Sequence, residues 1–272
     1  MKVKRLLANL AQALGVMPQA YKFRMFVTIF YPQTLKNNFL YWIEGTNDGP
    51  PLPNFWARIQ VAGTADVTAF LKLGRLGFES IRDTLERNGA ALDDLKDVLD
   101  FGCGCGRVLR HWSEATARLH GTDLNEYLVD ACRQAVPFAT IGTNALQPGL
   151  PYANASFDLV YALSVFTHLD VEAQKAWRDE FLRILRPRGV LILSVHGDAY
   201  LSRLNARELA EYRAGRAVVR HGVYPGGNVC VAFHPASFVS ETIAQGFEIV
   251  EAVPEGAKGN PVQDLYMLRK AA

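Results

Sequence analysis

Residues 97–112 read DVLDFGCGCGRVLRHW: an apolar run stops at Asp100, passes through three alternating glycines and re-enters a helical pattern at Val108. Glycine at 102, 104 and 106 lets the backbone approach a ligand where a side chain would collide. A turn of this kind, between a strand and the next helix, usually receives phosphate on the N–H groups that open the helix. A dinucleotide fingerprint starting at Gly102 would need a further glycine at 107, where Arg107 stands, so the turn fits a ligand without a pyrophosphate better.

Strand and helix signals alternate from this point on, which predicts a mostly parallel sheet with right-handed crossovers. Strands are expected at Val98–Phe101, Leu119–Asp123, Thr140–Thr143, Phe157–Leu163 and Gly189–Val195, with helices near 106–116, 125–135 and 172–186. Beyond them, 216–221 and 229–234 read as a hairpin, 236–245 as a helix, and 247–253 and 264–269 as two final strands. Residues 64–88 have helical spacing, as one helix or as a pair broken near Gly74 and Gly77. The predicted class is α/β, a doubly wound, mostly parallel seven-stranded sheet. An arm or cover occupies residues 1–62, the main domain 63–272, and an insertion of about 198–235 separates the fifth and sixth strands.

With Asp100, Gly102, Gly104 and Gly106 in this order, the turn resembles the first motif of the class I S-adenosylmethionine (SAM) dependent methyltransferases. Three later segments extend the resemblance: Asp123 closing the second strand, Asn144 with Ala145 after the third, and LPYANASFDLVYALS through the fourth. FLRILRPRGVLILSVHG then resembles the family's helix, turn and fifth strand, with Arg188 in place of a glycine. The resemblance covers about residues 97–196. It implies a Rossmann-like methyltransferase fold with SAM as cofactor, held by Asp100, Phe101, Gly102, Cys103, Gly104, Gly106, Asp123, Leu124, Asn144, Ala145, Leu163 and Ser164. Asp123 would accept from the two ribose hydroxyls; its other reading is the N-cap of the following helix. Asn144 is read equally as a turn residue.

Methyl transfer from a sulfonium is an in-line displacement, so alignment supplies much of the acceleration. An oxygen or nitrogen acceptor can also need a base. His168, after the fourth strand, is the candidate, its other reading being a helix cap or loop orienter; His196, Tyr21, Tyr31 and Arg58 are candidates for contacting the acceptor. Cys103 and Cys105 read as small side chains in the glycine turn, with no base spaced to activate them. The four cysteines and six histidines form no zinc-type spacing, so no metal is expected.

The expected activity is methylation of an O, N or S atom of a small-molecule metabolite or natural product. A non-catalytic SAM-binding or partner-binding protein, and an NAD(P)-dependent oxidoreductase, are the alternatives. A net charge of +2 gives no global pull toward nucleic acid. No apolar run reaches the length of a membrane span, and cytoplasmic residence is the default; nothing sets an oligomeric state. The arm is dense in aromatics, including Tyr21, Tyr31, Phe39 and Trp42, which are expected to pack in a core rather than face water.

Overall fold

A computed structural model describes residues 27–44, 49–222, 230–259 and 262–271. β1 (Asp97–Phe101) is buried along its whole length, as a strand covered on both faces should be. It is the third strand of a seven-stranded sheet with β2 (Arg118–Asp123), β3 (Thr140–Thr143), β4 (Phe157–Ala162), β5 (Leu185–Val195), β8 (Phe247–Val253) and β9 (Asp264–Lys270), in the order β3-β2-β1-β4-β5-β9-β8. The pairs from β3 to β5 are parallel, whereas β9 runs antiparallel to both β5 and β8. A separate hairpin, β6 (Val218–His221) with β7 (Cys230–Phe233), occupies the expected insertion.

Helices cover both faces. On one side α3 (Val67–Arg87) buries Val67, Phe70, Gly74, Gly77, Ile81 and Leu85 along a single stripe. On the other, Trp177 and Phe181 of α5 (Val171–Ile184) pack against Phe101, with ring centroids 4.4 and 4.9 Å away. The strand ends opposite the glycine turn are tied by ions. Arg186 reaches both Asp97 and Asp158 at 2.6 Å, and Arg118 joins Asp97 at 2.6 Å.

Of the two readings open for residues 64–88 the structure shows the single helix, and two other local expectations are corrected. α3 is one unbroken helix, because Gly74 and Gly77 serve close approach: a Cβ on Gly74 would lie 2.1 Å from the carbonyl oxygen of Arg107. The stretch 106–116 is not an α-helix but turns leading into a 3-10 turn at Leu109–Trp112. Its two arginines are buried, Arg107 donating to the carbonyls of Leu73 and Gly259 and Arg110 to those of Pro50 and Pro51. Those tertiary bonds, with Trp112 stacked on Tyr161, outweigh the weak helix propensity of valine, histidine and tryptophan there.

The second correction concerns the arm. In α1 (Pro32–Glu44) only Thr34 is buried, while Phe39 and Trp42 are 58% and 77% exposed. These two aromatics therefore face water, whereas Tyr41 is half-buried. α2 (Phe55–Ala62) is better seated, capped by Asn54 at its start and by left-handed Gly63 at its end.

Candidate active site

All three turn glycines adopt positive φ, 78° at Gly102, 54° at Gly104 and 80° at Gly106. Each is also pressed by a valine. A Cβ would come 2.4 Å from Val165 at Gly102, 2.7 Å from Val61 at Gly104 and 2.5 Å from Val136 at Gly106. The turn is thus bare by necessity, and its backbone lines a cavity of about 1040 Å³.

Asp123 closes β2 beside this turn. Its Oδ2 accepts from the N–H of Gly104 at 2.9 Å and its Oδ1 from the N–H of Asn125 at 2.8 Å. The cap of α4 (Glu126–Ala135) is Asn125, whose side chain accepts from Tyr127 and Leu128. Asp123 is therefore released from capping, and it lines the cavity with Leu124. Burial raises its pKa, opposed by those backbone hydrogen bonds.

Asp100 is 4% exposed, and burial pushes its carboxyl up to about 7, against the pull of Arg107. Two acids thus face the same chamber, a setting suited to a cationic guest. Asn144 lines it as well, and its buried Oδ1 has no hydrogen-bond partner among the described residues. Such an orphaned acceptor in a cavity wall is suited to a donor from a ligand.

At the far side of the chamber, Leu163, Ser164 and Val165 follow β4. Ser164 sits at φ 63°, a conformation that costs a non-glycine residue about 1–2 kcal/mol. A buried ring of hydrogen bonds holds it there. Its N–H donates to Ser194 Oγ at 2.7 Å, Ser194 Oγ donates to Gln263 Oε1 at 2.6 Å, and Gln263 Nε2 donates to Ser164 Oγ at 2.9 Å. Sequence reasoning missed Ser194 and Gln263, which carry no local motif.

His168 lines the chamber next to Leu169. Its Nδ1 lies 3.1 Å from the carbonyl oxygen of Cys230 on β7. A carbonyl only accepts, so Nδ1 carries the proton and Nε2 is the basic atom of the ring. Burial lowers its pKa, so the ring is neutral near pH 7.

The remaining candidates are placed elsewhere. Arg58 is 7% exposed and donates to the carbonyls of Pro53 and Ala65 at 2.7 and 2.8 Å, stapling the two ends of α2 together. His196 bonds the carbonyl of Ala232 through Nδ1 at 3.0 Å and packs on Tyr200, at 4.1 Å between centroids. Neither lines the chamber, and nor does Tyr31, which is 51% exposed. Tyr21 lies outside the described residues. Gly106 and Cys105 sit behind the turn, and burial pushes the Cys105 thiol up to about 12, which leaves it protonated and inert. What sequence reasoning did not foresee is the roof: Ile59, Gln60, Val61, Ala62 and Gly63 of α2 and its cap line the chamber.

Sheet order, bare glycine turn and acid at the end of β2 define the class I arrangement of nucleoside-binding methyltransferases. Comparison with known proteins agrees. Residues 99–193 match the family model described as a methyltransferase domain. A protein of Mycolicibacterium smegmatis, described as a probable S-adenosylmethionine-dependent methyltransferase, is 29% identical over 185 residues, 65% of this chain and 70% of that protein. The malonyl-[acyl-carrier protein] O-methyltransferase of Enterobacter lignolyticus is 36% identical over 98 residues, 35% of this chain and 36% of that one. Among solved structures, a SAM-dependent methyltransferase of Methanosarcina mazei superposes with a TM-score of 0.51 at 19% identity, over 64% of this chain and 92% of its own. A glycopeptide N-methyltransferase complexed with SAM gives 0.52 at 15% identity, over 72% and 94%. Residues 99–193 thus carry a methyltransferase domain, and the sheet around them has the fold of SAM-dependent methyltransferases.

Proposed function

We propose that the enzyme methylates an O, N or S atom of a small molecule, taken into the same chamber as the cofactor. The carrying observation is the chamber's size, about 1040 Å³, at the upper end of the range of small-molecule sites. It reaches from Asp123 to His168 beneath a roof of α2, with apolar walls at Ile59, Val61, Leu73, Leu163, Val165 and Leu169.

The residues present fit SAM. The backbone of Gly102 and Gly104 leaves room for it, with Phe101 and Cys103 fixing the turn and Gly106 its exit. Asp123 would accept from the ribose hydroxyls, and Leu124, Asn144 and Ala145 would frame the base. Asp100, Leu163 and Ser164 would hold the amino-acid end. When bound, SAM supplies an electrophilic methyl on a sulfonium that leaves as a neutral thioether. The protein's tasks are then to hold the acceptor in line, to exclude water with the α2 roof, and to receive the acceptor's proton on Nε2 of His168.

The test is incubation of the purified enzyme with methyl-tritiated SAM and a metabolite extract, followed by size fractionation. Enzyme-dependent label in a small molecule separated by chromatography from unreacted SAM supports the reading. Label only in protein or nucleic acid overturns it.

A further inference from the structure

Histidines from two different strand ends grip one edge of β7. His168 closes the 3-10 turn Phe166–His168 beyond β4, and its Nδ1 lies 3.1 Å from the carbonyl oxygen of Cys230. His196 directly follows β5, and its Nδ1 lies 3.0 Å from the carbonyl oxygen of Ala232. Backbone groups two residues apart on an extended strand point the same way, so both rings meet the same edge. The N–H of His234, two residues further on, donates to the carbonyl of His196 at 2.8 Å. His196 thus holds this edge through its side chain and its main chain, and His168 takes the next carbonyl along.

β7 pairs with β6 and with no strand of the seven-stranded sheet. Histidine side chains, rather than a neighbouring strand, therefore fasten it to the ends of β4 and β5. The His196 ring is itself held: it is buried and packs against Tyr200 and Phe233, with centroids 4.1 and 5.5 Å away. Phe233 belongs to β7, so ring contact and hydrogen bond secure the same strand. Any shift of β7 at Ala232 carries the Cys230 carbonyl with it, because a single residue separates the two.

The consequence falls on the proton of His168. In a neutral imidazole the hydrogen bond made at one nitrogen decides which nitrogen carries the proton. With the Cys230 carbonyl in place that nitrogen is Nδ1. Without it the other tautomer becomes accessible, and a ring protonated on Nε2 cannot accept a proton there.

We propose that His196 is a positioning residue for methyl transfer: by holding β7 at Ala232 it keeps the Cys230 carbonyl on Nδ1 of His168, and so keeps Nε2 open to the acceptor's proton. This rests on the reading of His168 as the base. His196 serves the acceptor at one strand's remove, without touching it.

Nitrogen-15 NMR of the full chain, about two pH units above the ordinary histidine value, reads the tautomer of each ring, with His168 assigned by the signals lost in His168→Ala. The wild type should carry the His168 proton on Nδ1. His196→Phe keeps a ring against Tyr200 and Phe233 but has no donor. It should spread the proton over both nitrogens of His168 and lower label transfer from methyl-tritiated SAM to small molecules of a metabolite extract about 3- to 10-fold, with SAM affinity unchanged. His196→Asn restores an N–H donor and should recover both readouts. A tautomer indifferent to His196→Phe, or a loss that His196→Asn does not recover, overturns the proposal and leaves His168 as the base. So does a His196→Phe enzyme without SAM affinity, since the ring would then serve the fold. A wild-type proton on Nε2, or full label transfer by His168→Ala, overturns the reading of the base and the proposal with it.

Discussion

Gly104 donates its backbone N–H to Oδ2 of Asp123 at 2.9 Å, across the gap between the β1 turn and the end of β2. One carboxylate thus both shapes the turn and faces the chamber that the turn encloses. Replacing Asp123 by Ala removes the acceptor of Gly104 and the ribose contact together. At about 1.5–3 kcal/mol for a hydrogen bond to a charged group, SAM affinity should fall about 10- to 100-fold, read by calorimetry. Unchanged affinity would remove Asp123 from the cofactor site.

Asp100, raised to about 7 by burial, links cofactor binding to pH. A cation bound beside it favours the carboxylate, so SAM should release a proton near neutrality and bind more weakly as pH falls through about 7. In the free protein the sign is opposite. A raised carboxyl stabilises the fold most at low pH, and that contribution is lost between about 4 and 7. Calorimetry of SAM binding in buffers of different ionisation enthalpy detects the proton, and Asp100→Asn should abolish it. The assignment fails if affinity is flat from pH 6 to 8.

His168→Ala should lower turnover of the acceptor about 10²- to 10⁴-fold with SAM affinity within about twofold, since Nδ1 is spent on the Cys230 carbonyl and only Nε2 serves the reaction. Burial lowers the pKa of this ring. The acid limb of the rate profile should therefore lie below the ordinary histidine value of about 6.5. Full turnover in the alanine variant would leave His168 as a structural residue.

Much of this was legible because the informative residues are close in sequence. The five strands from Asp97 to Val195 are apolar runs between turn signals, and the structure moves their ends by four residues at most. Asp123 and Asn144 stand directly at strand ends, so topology alone carries them to the glycine turn. Gln263 was invisible for the converse reason: it reaches Ser164 across 99 residues, and a glutamine before a strand has no signature. The roof was missed because only the pressure of Val61 on Gly104 reveals that α2 closes the chamber. The exposed face of α1 defeated a rule of thumb about aromatics, since the helix is fastened by Asn37 and Asn38.

Arg188 occupies a left-handed position, φ 64°, and is exposed. That conformation costs about 1–2 kcal/mol, whereas glycine adds about 0.5–1 kcal/mol of unfolded-chain entropy. Arg188→Gly should stabilise the protein by about 0.5–1 kcal/mol, visible as a melting temperature raised by about 1–4 °C. A lower melting temperature would show that the arginine makes a compensating contact.

Burial pushes His196 down to about 4 and His234 to about 3. Both ring nitrogens of His234 lack a hydrogen-bond partner among the described residues. Unfolded histidines take up protons near pH 6.5, so the stability these two contribute above that value is lost as pH falls toward 4. Acid titration followed by circular dichroism should show His234→Leu unfolding at lower pH than the wild type. The same or a higher midpoint would count against a titrating His234.

The Ser164–Ser194–Gln263 ring also imposes a schedule on the newborn chain. The glycine turn, Asp123 and Ser164 leave the ribosome early, yet Ser164 acquires its last hydrogen-bond partner only once Gln263 has been made and β9 has inserted beside β5. Domains tend to fold as units during synthesis; here the half-made chain holds every residue expected to touch the cofactor but not the one that sets the final shape of their cradle. The hydrogen bonds that fix Ser164 are thus complete only after residue 263 has been added.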